Sequence, residues 1–186
     1  MIVPSAEEKE RAKRIIIEII RQAGGTFQYK TNLYKAFYHA HLEYAKENPG
    51  YLSAWPIVRM PRGPGIDNFD ALLGELLITG KVHLASLPCG EGRQGCMFEL
   101  TSLANSSEAM SDEEVSAIRY GVSRVDGKSA AQASHESHEE SRSWRETPNG
   151  QELDIYCDLL SDEELAERRD HMRRLTSGLL DGLSSR

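Results

Sequence analysis

His135 and His138 stand three residues apart in the stretch SHESHEESRSW, residues 134–144, with Glu136 and Glu139 beside them. Residues three apart on a helix share a face. Two imidazoles and a carboxylate at that spacing could hold a divalent metal. Cys89, Cys96 and Cys157 offer softer ligands. Cys89 and Cys96 bracket a glycine-rich stretch and can face each other across a hairpin, with His83 the nearest histidine. That spacing fits no standard zinc pattern, and three cysteines at irregular intervals make no disulfide framework. In a reducing cytosol they stay thiols. The competing reading of the histidines is a serine- and glutamate-rich helix end. There, His138 caps carbonyls or packs on Trp144. On that reading no metal and no cofactor are bound, His138 is structural and His135 incidental.

Other catalytic patterns are missing. The sequence holds no nucleophile elbow, phosphate loop or HExxH pair. RGPGID, residues 62–67, places two glycines before a helix, but without phosphate-loop spacing. It reads as a rigid turn, with Asp67 or Asn68 capping the helix after it. His39 and His41 are two apart and point to different faces, which suits surface or core-edge residues. The chain is therefore read as a non-enzyme.

The elements that would position these residues follow from periodicity. Ser5-x-x-Glu8 is a capping box, and Ala12, Ile15, Ile16, Ile19, Ile20 and Ala23 form a helical stripe that Gly24-Gly25 ends. Thr31 or Asn32 opens a second helix with Leu33, Phe37, Ala40, His41 and Tyr44 inward, stopped by Asn48-Pro49-Gly50. Trp55 precedes a proline and should be extended. A third helix over residues 68–79 buries Phe69, Leu72, Leu73, Leu76 and Leu77. KVHLAS and CMFELT read as two strands around a glycine-rich loop. This order predicts a mainly α protein with a small β-hairpin: a winged-helix-like core over residues 5–101 and a polar linker at 102–110. Ser111-x-x-Glu114 and Ser129 then cap the helices of the 111–157 region. Residues 1–157 form one domain, and 158–186 add a last helix, opened by Ser161-x-x-Glu164, with a frayed tail. Its Leu165, Met172, Leu175 and Leu179 lie on one stripe.

The net charge is −7 and it is unevenly placed. Residues 1–105 carry 12 Lys+Arg and 11 Asp+Glu, a balance of +1, while residues 106–186 carry 10 and 18, a balance of −8. An acidic half argues against generic nucleic-acid binding, which neutralises phosphates, and suits a basic protein partner. The candidate recognition helix, residues 68–79, contains Asp70 and Glu75 and no Lys or Arg. Only Lys81 and Arg93 lie near the loop. No apolar run reaches the length of a bilayer span, and the first residues lack a signal-peptide layout. A cytoplasmic protein without membrane contact is the expectation.

Three stretches resemble a known family. KTNLYKAFYHAHLEY, AWPIVRMPRGPGID and MSDEEVSAIRYGVSRVDGKSAAQASHESHEESRSWRET resemble, in that order, the motifs of the Panacea domain, a SocA-like antitoxin family with phage-associated GepA-type members. The match covers roughly residues 9–157. His138 and Trp144 fall on the family's signature histidine and tryptophan, and Gly63, Pro64 and Gly65 on its Gly-Pro segment. RMPRGPGI carries an extra Pro and Arg, and Ala133 stands where leucine is usual. The resemblance implies a non-catalytic interaction module: an antitoxin that neutralises a cognate toxin, encoded by a neighbouring gene, through direct binding, or a proteolytic adaptor. Aromatics and arginine dominate interface hot spots, so Tyr34, Tyr38, Trp55, Arg59 and Arg62 are the candidate exposed contacts, with core packing an equal alternative for Trp55. The rival is a winged-helix transcriptional regulator that binds DNA. A metal-dependent enzyme using His135, His138 and the cysteines ranks third.

Overall fold

A computed structural model describes residues 4–88, 94–104 and 110–184. Cys89 and Arg93 lie outside them, as does the Leu179 side chain. The chain is mainly helical with small antiparallel sheets, an α+β fold. Its order is α1 (Ala6–Gln22), β1 (Thr26–Gln28), α2 (Lys30–Glu47), β2 (Ile57–Met60), β3 (Gly63–Ile66), α3 (Phe69–Ile78), β4 (Val82–Pro88), β5 (Gln94–Leu100), α4 (Asp112–Ser123), α5 (Ala130–Glu140), α6 (Arg142–Glu146) and α7 (Asp162–Ser184).

The stripe on α1 is buried, from Ala12 to Ile20. Its cap is only half the predicted box. Ser5 accepts the Glu8 N–H, but the Glu8 carboxylate takes the N–H of Ala54 at 2.6 Å instead. The boxes opening α4 and α5 are complete, the second built by Ser129 and Gln132. At α7, Ser161 and Glu164 exchange both bonds as well.

Helix α2 departs from its expected start. It begins at Lys30, no side chain caps it, and Tyr29 before it has φ 66°. Neither Thr31 nor Asn32 is the cap: Asn32 points inward and donates to the carbonyl of Lys128 at 2.8 Å. Nor does α2 have one inward face. From Leu33 to His41 only Tyr34 escapes full burial. The expectation of surface or core-edge histidines fails here. His41 Nδ1 donates to the Phe37 carbonyl at 2.8 Å and Nε2 accepts from Ser53 Oγ at 3.2 Å, while His39 is buried beside Tyr38. Desolvation lowers the pKa of His39 to about 3 and of His41 to about 4, so both rings are neutral.

Strands β1, β5 and β4 form one antiparallel sheet in that order. Strand β1 was not foreseen, since three residues are too few for a period-two pattern. The second sheet is also unforeseen. GPGI is not a turn but strand β3, paired with β2 from Ile57–Ile66 to Met60–Gly63 and turning at Pro61 and Arg62. Residues 150–153 zip onto the free edge of β2 through Arg59 N–H to Gln151 O and Leu153 N–H to Ile57 O, both 2.8 Å. Asn68, not Asp67, precedes α3, in a left-handed conformation and without a side-chain cap bond.

Helix α4 crosses α2 at Gly121. A Cβ there would collide with the Ala36 carbonyl and crowd the Ala40 N–H. These are backbone atoms of a helix and cannot turn away. Among the described residues, helix α7 packs through its first turns. Leu165 is buried, and Arg142 pairs with Asp162. Met172 and Leu175 are 56% and 51% exposed, so the predicted stripe does not pack along its length. The helix continues to Ser184, through residues expected to fray.

The Gly121 crossing yields the first prediction. Gly121→Val should lower unfolding stability by about 2–4 kcal/mol, through overpacking against backbone. Gly127→Ala, at a turn with open space around it, should cost about 1 kcal/mol from its positive φ alone. Chemical denaturation of both variants checks the ranking.

Candidate functional site at the hairpin corner

The β2–β3 hairpin is held by groups from opposite ends of the chain. From α2, the Lys35 ammonium donates to the Pro64 carbonyl at 2.7 Å. Lys35 is only 1% exposed, and this burial alone lowers its pKa to about 7. Gly63, at φ 97°, makes room for it: a Cβ there would strike both Lys35 Nζ and Ser137 Oγ. Glycine is required twice over, by conformation and by space.

Helices α5 and α6 close the other side. Ser134 Oγ donates to the Arg62 carbonyl at 3.0 Å. Ser137 is fully buried and donates back to the Ser134 carbonyl. Trp144 Nε1 donates to the Met60 carbonyl at 2.8 Å. The His138 ring lies parallel to Trp144, centroids 3.8 Å apart and planes 5° apart. Arg59 Nε donates to the Trp144 carbonyl at 2.9 Å, and its guanidinium sits 4.8 Å from the ring centroid, a cation–π distance. Burial lowers the His138 pKa first, with Lys35, His135 and Arg59 adding to it, so the ring stacks as a neutral imidazole.

The candidate contacts divide accordingly. Arg62 is exposed at the hairpin tip. Arg59 is half-buried and committed to Trp144. Tyr34 is half-buried with its ring edge-on to Phe69 at 5.0 Å. Tyr38 and Trp55 are corrections: both are buried and neither presents a surface. Tyr38 donates to Asp158 at 2.8 Å, and Trp55 Nε1 to the Asp67 carbonyl at 2.8 Å. Tyr38 faces the core because α2 is surrounded, and Trp55 because the chain before Pro56 runs into the interior. Gly65 lies in β3 against the Met60 side chain.

Sequence reasoning missed Asp158. Its carboxylate accepts from Tyr38 Oη, Ser141 Oγ (3.0 Å), Ser143 N–H (2.7 Å) and Ser143 Oγ (2.6 Å). This ties the segment after α6 to both α6 and α2. The signal available was the serine density of SHESHEESRSW. Ser137, Ser141 and Ser143 are all buried, which makes the stretch a packing surface and not a solvated cap.

The His-x-x-His pair does not converge. His135 is exposed and lies 3.5 Å from Glu139, while His138 turns to Trp144. Among the described residues no group of three His, Cys, Asp or Glu side chains is placed to hold a metal. No helix among the described residues is long and apolar enough to cross a membrane. A scan against family models, a search of curated proteins and a search of solved structures each gave no match.

Two predictions follow from this corner. His138→Ala should cost about 1–2 kcal/mol of stability through the lost stack, without releasing a metal, while His135→Ala should stay within about 0.5 kcal/mol of the parent. Denaturant midpoints with elemental analysis check both. Lys35 gives a pH signature. Its folded pKa is depressed, so between about pH 7 and its unfolded value near 10.5 the unfolded chain binds more protons, and stability rises with pH. Below pH 7 both states are protonated and the cost is constant. Lys35→Met should therefore stabilise the chain by a few kcal/mol at pH 6, and this advantage should shrink steadily as the pH rises from about 7 to about 9.5. Melting of both proteins from pH 6 to 9.5 reads it.

Proposed function

We propose that this chain is a non-catalytic protein-interaction module of the Panacea type. It acts as the antitoxin of a toxin–antitoxin pair, or as a proteolytic adaptor, by direct binding in the cytoplasm. One observation carries the reading. The three stretches that resemble the family's motifs are far apart in sequence and meet at one place. Lys35 comes from the first, the β2–β3 hairpin is the second, and Ser134, Ser137, His138 and Trp144 come from the third. Side chains from the first and third grip the hairpin at Met60, Arg62, Gly63 and Pro64. The hairpin is thereby preorganised, with Pro61 and Arg62 at its exposed turn. Preorganisation lowers the ordering cost of association, and an exposed arginine on a rigid turn is a competent anchor.

The second reading, a winged-helix DNA-binding regulator, is favoured by connectivity. Helix α1, strand β1, helices α2 and α3, then the β4–β5 hairpin with β1 paired to β5 is the order such a core requires. Its charges argue the other way. Asp70 and Glu75 of α3 are engaged by Lys30, Lys9 and Lys13, which leaves those lysines paired instead of offered to phosphate.

Co-expression with the neighbouring open reading frame tests the proposal. The neighbour should be toxic alone, be silenced by this chain and co-purify with it, and Arg62→Glu should weaken the complex at least tenfold. A harmless neighbour that does not co-purify removes the antitoxin reading. Salt-dependent binding to the chain's own promoter at low ionic strength would favour the regulator instead.

A further inference from the structure

A cavity of about 800 Å³ lies at the start of α2, between strand β1 and the α4–α5 turn. One wall is the outer edge of the three-stranded sheet. Along β1 the odd positions bond to β5: Leu100 N–H reaches Gly25 O, Phe27 opposes Phe98, and Tyr29 N–H reaches Cys96 O. The N–H and C=O of Thr26 and Gln28 therefore point away from β5, and both residues line the cavity. Residues from Val122 to Gln132, Asp126 and Lys128 among them, supply most of the remaining lining, and the strand that β1 pairs with is β5.

Three further features mark this groove as a receptor and not a crevice. Asn32 belongs to its wall and is only 4% exposed. Its Nδ2 donates to Lys128 O, while its Oδ1, itself buried, has no partner among the described residues. A buried amide oxygen without a donor costs free energy until something supplies one. The groove also ends at the start of α2, an 18-residue helix whose first turn has no side-chain cap and no acidic residue. Its N–H groups are an anion-seeking terminus. Arg119 on the far wall is exposed and donates to the neutral Gln22 amide at 3.2 Å, and no carboxylate among the described residues pairs with it.

We propose that this groove binds an extended peptide segment of a partner protein, which adds a strand to β1. The peptide main chain pairs with Thr26 and Gln28. A carboxylate on it lies toward Arg119 and the first turn of α2. Hydrogen-bond pattern and charge both select this occupant. An edge strand offers alternating donors and acceptors that an extended main chain matches. Asp126 and Lys128 also line the groove, Lys128 paired with Glu136, so an acidic residue is favoured beside Arg119 and the helix terminus and not along the α4–α5 turn. The volume lies within the range that encloses a ligand of this size. The inference rests on the interaction-module reading and adds where a partner's extended segment lies.

The test selects binders from a random dodecapeptide display library on the full chain and maps them by ¹⁵N NMR. Selected peptides should carry Asp or Glu and shift the amide signals of Thr26, Gln28 and Asn32. Gln28→Pro removes an N–H that β5 does not use, and it should weaken binding at least tenfold. Arg119→Glu, at an exposed site where substitutions change stability little, should weaken it at least threefold. Binders that shift only Leu84 and Ser86 on the opposite sheet edge, or only the hairpin corner, overturn the proposal, as does a selection that yields no binder. A toxin that co-purifies with the chain while leaving Thr26, Gln28 and Asn32 unshifted sinks the groove and leaves the module reading standing.

Discussion

A helix enclosed on nearly every side must find partners for its own polar side chains, and much of this fold is the list of partners that α2 recruits. Asn32 takes the carbonyl of Lys128. Lys35 takes the carbonyl of Pro64. Tyr38 takes Asp158, and His41 takes its own helix and Ser53. Each partner belongs to a different later segment: the α4–α5 turn, the hairpin, the stretch after α6, and the loop before β2. A buried donor left unsatisfied costs about 1–3 kcal/mol. The polar residues of α2 therefore decide which segments may lie against it, while the apolar ones supply the driving force. Lys35 is the extreme case. It is an amine in a low-dielectric interior with one carbonyl, and its depressed pKa is the measure of that cost.

The same constraint explains why the C-terminal third holds together with little apolar content. Residues 126–146 contain few large aliphatic side chains. What packs is small and polar. Buried serines let α5 and α6 approach the hairpin closely, and their hydroxyls end on carbonyls or on the Asp158 carboxylate. One carboxylate taking four donors restrains α6, α2 and the following turn together. Past Leu165 no such tie exists among the described residues. Helix α7 is held at its base by Arg142–Asp162, Arg168–Asp154 and Arg169–Glu146, and beyond them Met172 and Leu175 face solvent. Surface ion pairs of this kind contribute little each, so the end of packing on α7 follows the end of buried apolar area.

Where the sequence was legible, a single periodicity dominated. The stripe of α1, the inward leucines of α3, the capping serines of α4, α5 and α7 and the β4–β5 hairpin could all be read from spacing. Three things could not. The burial of α2 defeats a one-face reading, because its neighbours are set by tertiary contacts that local pattern does not encode. The strand GPGI reads as a turn because Gly and Pro are turn residues; it is a strand because Gly63 must yield space to Lys35 and Ser137. And Asp158, an ordinary acidic residue in sequence, gains its role only when Tyr38 and two serines arrive from elsewhere. Tyr38 was misplaced for the first of these reasons, and for Trp55 the core alternative holds: an aromatic that suits an interface suits a core equally well, and only the surroundings of α2 and of the chain before β2 separate the two.

Charge shows the same dependence on folding. Counted along the chain, α3 carries Asp70 and Glu75 and no cation, which reads as a repulsive face toward phosphate. In the folded protein, Lys9 and Lys13 from α1 reach Glu75, and Lys30 from α2 reaches Asp70 at 2.5 Å. These lysines hold the Glu75 carboxyl down at about 2, so it stays ionised and paired across the whole physiological range. The face of α3 is therefore closer to balanced than to negative. Balance still does not make a nucleic-acid surface, because binding there is driven by releasing counterions from phosphate to unpaired cations, and a lysine already holding a carboxylate must first give it up. The cations without a carboxylate partner among the described residues, such as Arg62 at the hairpin tip and Arg119 beside β1, stand apart from α3. Separate arginines of this kind match single carboxylates on another protein better than they match a continuous phosphate backbone.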